Sequence, residues 1–415
     1  MTPAPNSPES SRGTALEVFC AFLRLGLLSF GGPIAHLGYF QSEFVERRRW
    51  CSRETFAEII AIAQSLPGPA SSQVGFSLGL LRAGWLGGLA AWTAFTMPSA
   101  LVMLAFAFGH RFLTGRLGLG VVHGLQLVAV AVVAQAILSM RKSLAPDAPR
   151  LALALVAALI VFFSYGTLAA IVVGAAFGLI LPRPAQPAPM HPLGFRLPKS
   201  AALISAALFF LLLVALPVAT SLTRSQPIAV FNAFYRTGAL VFGGGHVVLP
   251  LLESAVVAPG WVDQQTFLSG YGAAQALPGP LFTFAAFLGA SIHGAGGPYS
   301  PSFGECGIAA SPLAHGLLAL IAIFLPGLLA VVAVLPFWSE LRQLPSVQGV
   351  LRGVNAAVVG VLIAAFVRPV CSSALHSSVD VAIALAALVA LLRWKLSPWI
   401  VVLSVALLST LVIIV

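Results

Sequence analysis

The sequence predicts an all-α, polytopic membrane protein of about 13 transmembrane helices, arranged as two homologous, inverted repeats whose helices are broken by glycine and proline. Two observations carry this reading. The first is how apolar the chain is. Of 415 residues, 59% are hydrophobic and 8% charged, and the mean hydropathy is +0.98, whereas a soluble domain carries about 25% charged residues. In water it would expose far too much apolar surface. Its apolar runs are long and tightly punctuated, unlike the alternating segments of about ten residues that build a membrane β-barrel. The second observation is duplication. Gln64-Ser-Leu-Pro-Gly-Pro69 returns as Gln275-Ala-Leu-Pro-Gly-Pro280, 211 residues later. Two copies of one membrane unit, each interrupted by Gly and Pro, are the signature of a transporter with repeat symmetry.

Residues 1–14 form a polar tail rich in Pro and Ser. No charged segment precedes a short apolar core there, so no cleavable signal peptide is expected. The first repeat covers 15–181, with apolar stretches at 15–38, 56–80, 84–108, 119–140, 151–165 and 167–181. The last two form a hairpin if Ser164-Tyr-Gly166 is a turn. The proline-dense segment 182–198 cannot be helical and reads as an extended linker. A lone helix follows at 199–221. The second repeat, 227–415, has stretches at 227–251, 265–291, 313–337, 348–367, 379–393 and 397–415, with Leu396–Pro398 as the matching turn. A Gly, Pro and Ser-rich insertion at 293–312 lengthens the repeat offset. Six crossings and a lone helix make an odd number before the second repeat, so it enters inverted. Counting loop cations with the N-terminus inside gives about 11 on the cytoplasmic side and about 8 outside. The run Arg47-Arg48-Arg49 sits on the poorer side of that count.

The net charge of +10 is explained by membrane topology, with attraction of an anionic substrate as the second contribution. The basic residues are scattered between spans, which argues against nucleic-acid binding. Cys20, Cys51, Cys306 and Cys371 show no metal or redox spacing. No metal and no cofactor is expected.

The Pro-Gly-Pro breaks are the leading candidates for a site. Pro67 and Pro69, and likewise Pro278 and Pro280, remove backbone donors and disfavour helix before them. In lipid the freed groups need protein or a water-filled cavity, and half-helix N-termini beside such breaks aim positive charge at an anion. The binding candidates here are Gln64, Pro67, Gly68, Gln275, Pro278 and Gly279. The glycine clusters Gly31-Gly32-Pro33 and Gly243-Gly244-Gly245 either admit a ligand to the backbone or pack helices. Arg24 and Arg236 each lie in an apolar helix before a glycine cluster. They serve either as guanidinium forks for an oxyanion or as headgroup anchors. Gln126 and Asn355 are paired amides that donate to substrate or tie helices together. Glu58, Glu253 and His246 are candidates for a coupling proton. The spacings Gly75–Gly79, Gly84–Gly88 and Gly120–Gly124 read as helix-packing faces. No phosphate loop, H-E-x-x-H or G-x-S-x-G motif occurs, so the chain is not read as an enzyme.

With these motifs assembled, the chain resembles the chromate ion transporter family in its long, two-domain form. The resemblance rests on Phe30-Gly-Gly-Pro33 with His36, Phe44-Val-Glu-Arg-Arg-Arg-Trp50, the two Pro-Gly-Pro segments, Phe242-Gly-Gly-Gly245, Leu249-Pro-Leu-Leu-Glu253 and Leu351-Arg-Gly-Val-Asn-Ala-Ala-Val-Val359. It spans roughly residues 16–370 and implies efflux of chromate across the cell inner membrane by a secondary transporter. Some relatives are linked to sulfate, an isosteric dianion. One departure is Val256-Val-Ala-Pro-Gly-Trp261, which lacks the arginines of the first copy. The expected partners are a small inorganic oxyanion and the lipid bilayer, with a homodimer left open. A sulfate carrier and an anion channel stand as alternatives.

Overall fold

Side-chain caps set where many of the helices begin. A computed structural model describes residues 13–110, 112–113, 115–163, 166–180, 195, 197–223, 225–292 and 311–414, and these contain helices and no strand. Most of the linker at 182–198 and of the insertion at 293–312, and residues 1–12 of the tail, lie outside the described residues. Thr14 caps α1 (Ala15–Leu28) by accepting from the Glu17 amide. α2 (Gly32–Phe40) continues into a π-turn at Gln41–Arg47. Ser52 caps α3 (Arg53–Ser65), and α4 (Ala70–His110) follows the first Pro-Gly-Pro. α4 is not one rod. Ala83 and Gly84 leave helical geometry, and a Cβ on Gly79 would lie 2.3 Å from the Gly87 carbonyl oxygen, so residues 70–82 fold back against 85–110.

Next come α5 (Gly115–Leu144), α6 (Ala148–Phe162), α7 (Thr167–Gly178) and α8 (Lys199–Thr223). The second repeat runs α9 (Gln226–Leu240), a 3-10 turn at Gly245–Val247 leading into α10 (Val248–Leu252), a π-turn at Glu253–Val257 and α11 (Gln264–Gln275). Asp263 caps α11 through the Thr266 amide, matching Ser52 and Thr55 in the first repeat. After the second Pro-Gly-Pro, a 3-10 turn at Leu281–Thr283 leads into α12 (Phe284–Ala290). The chain closes with α13 (Pro312–Val334), the single turn α14 (Trp338–Leu341), α15 (Pro345–Ala365), the single turn α16 (Ser372–Ala374), α17 (Ser378–Leu392) and α18 (Pro398–Ile414).

In each repeat the first four helical segments form two antiparallel hairpins that enter the bundle and turn back. Phe22 stacks on Phe44 at 4.6 Å, Glu17 pairs with Arg48 at 4.0 Å, and Ser29 meets His36 at 3.2 Å, which fixes α1 against α2. Arg82 lies over Trp50, just ahead of α3, at 5.5 Å, and α3 packs on α4. In the second repeat Phe267 meets Phe284 at 5.3 Å and Gly270 abuts Phe287, pairing α11 with α12; α9 packs on α10 and the π-turn after it. The two sets enter from opposite faces. The far end of α4 reaches the second set, where His110 bonds Ser269 at 3.2 Å. The far end of α13 reaches the first set, where Arg342 and Trp338 bond Glu58.

Four of the apolar stretches, 15–38, 56–80, 227–251 and 265–291, are therefore folded-back hairpins. The remaining apolar helices among the described residues are the second arm of α4, α5, α6, α7, α8, α13, α15, α17 and α18. The stretch at 151–181 holds α6 and α7, which pack on each other; Ser164 and Tyr165 of the expected turn lie outside the described residues. Counting the second arm of α4 and α5 to α8 as crossings would put five before the second repeat instead of the expected seven, an odd number on either count. Length separates two groups. Five helical segments are long and apolar enough to cross a membrane unaided, whereas α6, at 15 residues, spans only about 22 Å.

Each repeat also lends its last hairpin to the other. Gly349 and Gly353 on α15 meet the backbone of α7 at Gly178 and Gly174, and Gly120 and Gly124 on α5 meet α18 at Thr410 and Ala406. These are helix-packing faces, where a missing Cβ lets backbones approach. α8 rides on the outside against α9 and α13, with Tyr235 donating to the Phe209 carbonyl at 2.9 Å.

Candidate functional site

Four hairpin tips meet inside the bundle, and each is a glycine break. Their backbones are tied across the repeats in a reciprocal pair. Gly68 in the first Pro-Gly-Pro donates its amide to the carbonyl of Val241, the residue that ends α9, at 2.7 Å. Gly279 in the second donates to the carbonyl of Ser29, which ends α1, at 3.0 Å. Each break also abuts a proline-bearing helix of the other repeat. A Cβ on Gly68 would lie 2.8 Å from Gly327 beside Pro326, and one on Gly279 would lie 2.9 Å from Ser99 Oγ beside Pro98. The glycine clusters face one another too, with Pro33 about 3.5 Å from the Cβ position of Gly245.

The polarity at the centre follows from chain direction. Residues 32–47, 70–82, 245–257 and 281–290 each begin at a tip and run outward, so four helix N-termini point inward. Each carries about half a positive charge and unpaired amides. The opposing C-terminal carbonyls of Ser29 and Val241 are already taken by Gly279 and Gly68. Among the described residues, no protein acceptor takes the amides of Gly31, Gly243 or Gly244. Gly31, Gly32, Gly68, Gly243, Gly244 and Gly279 all have positive φ. Gly32 and Gly244, equivalent by the repeat, have nothing within 4 Å of their Cβ positions. Backbone amides around open space at converging N-termini are an arrangement whose chemistry suits an anion.

The sequence-predicted residues divide by where they fall. Gly31, Gly32, Pro67, Gly68, Gly243, Gly244, Pro278 and Gly279 come together at the tips. Asn355 joins them, its Oδ1 3.4 Å from the Cβ position of Gly243 and without a hydrogen-bond partner. Its sequence counterpart Gln126 does not, since its amide reaches the Gln265 carbonyl at 3.4 Å on the far side. Gln275 is half-buried with its Nε2 unpartnered, whereas Gln64 is exposed. Arg24 and Arg236 lie on the exposed sides of α1 and α9, outside the packed core. Glu58 is bound by Arg342 and by Trp338 Nε1 at 3.3 Å. His246 Nδ1 shares a hydrogen bond with the Tyr271 hydroxyl at 2.9 Å. Glu253 opens the π-turn that matches the one holding Glu43. Arg47 and Arg48 clamp Glu43, while Glu253 has no ion-pair partner among the described residues.

One residue escaped the repeat comparison. Gln73 is fully buried and donates from Nε2 to the carbonyls of Pro67, at 2.8 Å, and Gly327, at 3.0 Å, which pins the first break to α13. Its counterpart in the second repeat is Phe284, so duplication could not reveal it. Beside the tips, Phe30, Ala276, Trp399 and Leu403 line an apolar recess of about 490 Å3.

Comparison with known proteins gives a consistent answer over nearly the whole chain. The family described as Chromate transporter matches residues 16–179 and 228–410. The chain is 30% identical over 380 residues to the probable chromate transport protein of Synechococcus elongatus, covering 90% of this chain and 88% of that one. It is 28% identical over 393 residues to the chromate transport protein of Cupriavidus metallidurans, covering 92% and 89%. It is 29% identical over 299 residues to the chromate transport protein of Pseudomonas aeruginosa, covering 68% and 67%. No solved structure matches the chain.

Proposed function

The chain belongs to the chromate transporter family, and from that membership we propose that it is a secondary transporter exporting chromate from the cytoplasm across the inner membrane. The observation that carries the reading is the convergence of four helix N-termini on open glycine backbone. Chromate is a tetrahedral dianion, and amides at helix N-termini suit it without a resident cation. Arg24 and Arg236 supply the approach. Each lies mid-helix and exposed, where a charge facing hydrocarbon would cost several kcal/mol, so a water-filled path on either side of the tips accounts for both. Gln275, Asn355 and the Pro-Gly-Pro backbone complete the binding set. Of the sequence's candidates for a coupling proton, Glu58 is paired with Arg342, His246 is hydrogen-bonded to Tyr271, and Glu253 has no ion-pair partner among the described residues.

Rocking of one repeat against the other would exchange access. The reciprocal hydrogen bonds that close the centre favour this over a permanently open channel. The hairpin topology also supports a cytoplasmic N-terminus. With α1–α2 and α3–α4 turning back, Arg47, Arg48, Arg49, Arg53 and Arg82 share one face with Arg141, Lys142, Arg150, Lys199 and Arg342, whereas Arg116 and Arg368 lie at the other, the bias expected of a cytoplasmic face. A second reading is a sulfate carrier, because backbone amides recognise charge and shape that the two anions share.

The test is uptake of radiolabelled chromate by proteoliposomes holding the purified chain, with sulfate as competitor and Arg24→Ala and Arg236→Ala alongside. Saturable chromate flux that falls at least tenfold in either variant supports the site. Sulfate flux without chromate flux moves the assignment to sulfate. Flux that never saturates indicates a channel.

A further inference from the structure

The carbonyl of Ser29 accepts two hydrogen bonds, one from the Gly279 amide across the repeats and one from His36 Nε2 at 3.2 Å. A carbonyl offers no proton, so Nε2 carries the hydrogen and Nδ1 of the neutral ring is a bare acceptor. His36 sits in the first turns of α2, is 1% exposed, and meets Phe95 edge to face at 5.2 Å. Nδ1 is buried with no partner, as are the nearby hydroxyls of Ser29 and Thr96. A buried acceptor left unmet is costly, and its retention points to an occupant.

The charged groups on the surrounding elements are engaged elsewhere. Glu17 on α1 pairs with Arg48 and Arg82, Glu43 is held by Arg47 and Arg48, and His110 on α4 bonds Ser269. Arg24 on α1 is exposed, and the second Pro-Gly-Pro, which packs on Ser29, contributes no charged side chain. By the repeat offset the counterpart of His36 is Val248, so this titratable group belongs to one repeat alone.

Resting on the reading of the tips as an oxyanion site, we propose that His36 is the proton-coupling residue, its Nδ1 taking up one proton with each dianion and releasing it when the anion leaves. The N–H bond forms as hydronium gives up its proton and breaks when water takes it back, and no electron moves. The imidazolium adds one positive charge beside the α2 N-terminus, and the dianion then crosses as a singly charged unit. Protonation also strengthens the Nε2–H bond to Ser29, the carbonyl that ties α1 to the other repeat, so the charge and the closure change together.

Calorimetric titration of the purified full chain with potassium chromate at pH 7.5, in two buffers of different ionisation enthalpy, counts the protons. The wild type takes up about one proton per chromate, and His36→Gln, which keeps an N–H for Ser29 but cannot titrate, takes up almost none. In proteoliposomes His36→Gln keeps chromate-for-chromate exchange within about threefold and loses accumulation driven by a pH gradient at least tenfold. A wild type that binds chromate without proton uptake, or a His36→Gln that still takes up the proton, overturns the proposal while leaving the transport reading intact. A wild type that neither binds nor exchanges chromate overturns both. If His36→Gln fails to reach the membrane, the wild-type proton count and His36→Asn decide by the same criteria.

Discussion

At the scale of single residues, the centre depends on backbone that only glycine supplies. Gly244 has φ 137 and ψ 164, and Gly32 has φ 75; a side chain at either costs about 1 to 3 kcal/mol of strain even where space is free. Gly244→Ala and Gly32→Ala are expected to lower chromate flux at least tenfold, read by the liposome assay. Gly38→Ala is the control, since Gly38 has open space around it and ordinary helical φ, and its flux stays within about twofold. Gln73→Leu removes two buried hydrogen bonds, to the Pro67 and Gly327 carbonyls, costing about 2 to 4 kcal/mol, visible as a lower melting temperature in detergent. The glycine and proline breaks were legible in the sequence because duplication marks them twice. Gln73 and His36 were not assigned a role because each occurs in one copy. Gln126 and Asn355 part company for a physical reason: α5 packs against α11 of the other repeat, whereas α15 packs beside the second glycine tip.

At the scale of elements, hairpins that enter and return need anchors at their open ends. The first pair has them in the stack of Phe22, Phe44 and Trp50, with Arg48 and Arg82 over the indole, and in Glu58, which fastens α3 to α14. Both members of the Glu58–Arg342 pair keep under one-fifth of their side-chain surface exposed. Loss of one leaves the other poorly solvated, and Glu58→Ala or Arg342→Ala is expected to destabilise by about 2 kcal/mol. The double variant costs little more than either alone, a double-mutant cycle by thermal unfolding being the check. Hydropathy located all of these apolar stretches but could not tell a hairpin from a crossing. A run of some 25 apolar residues satisfies either, and only the cross-hairpin contacts, invisible to a sliding window, decide. With the first two stretches read as hairpins, Arg47, Arg48 and Arg49 move to the face that also holds Arg141, Lys142 and Arg342.

At the scale of the whole molecule, the two repeats hold each other through backbone bonds at the tips and through exchanged end hairpins. Residues 1–190 and 191–415 produced as separate chains in one cell are expected to assemble and restore chromate flux to at least one-fifth of the intact level, while either alone gives none; co-purification through a tag on one fragment is the check. Single-cysteine labelling of intact cells tests the orientation: Arg49→Cys is expected to resist an impermeant reagent and Arg116→Cys to react. The exchange of hairpins has a further consequence in time. Gly174 and Gly178 on α7 are made to lie against Gly353, which leaves the ribosome about 175 residues later. At ordinary elongation rates that is roughly 10 to 40 s. For that interval the newly inserted first half waits in the bilayer with bare backbone on α7 and its tip bonds unmade, and whatever shields nascent membrane helices must cover that face until its mate arrives.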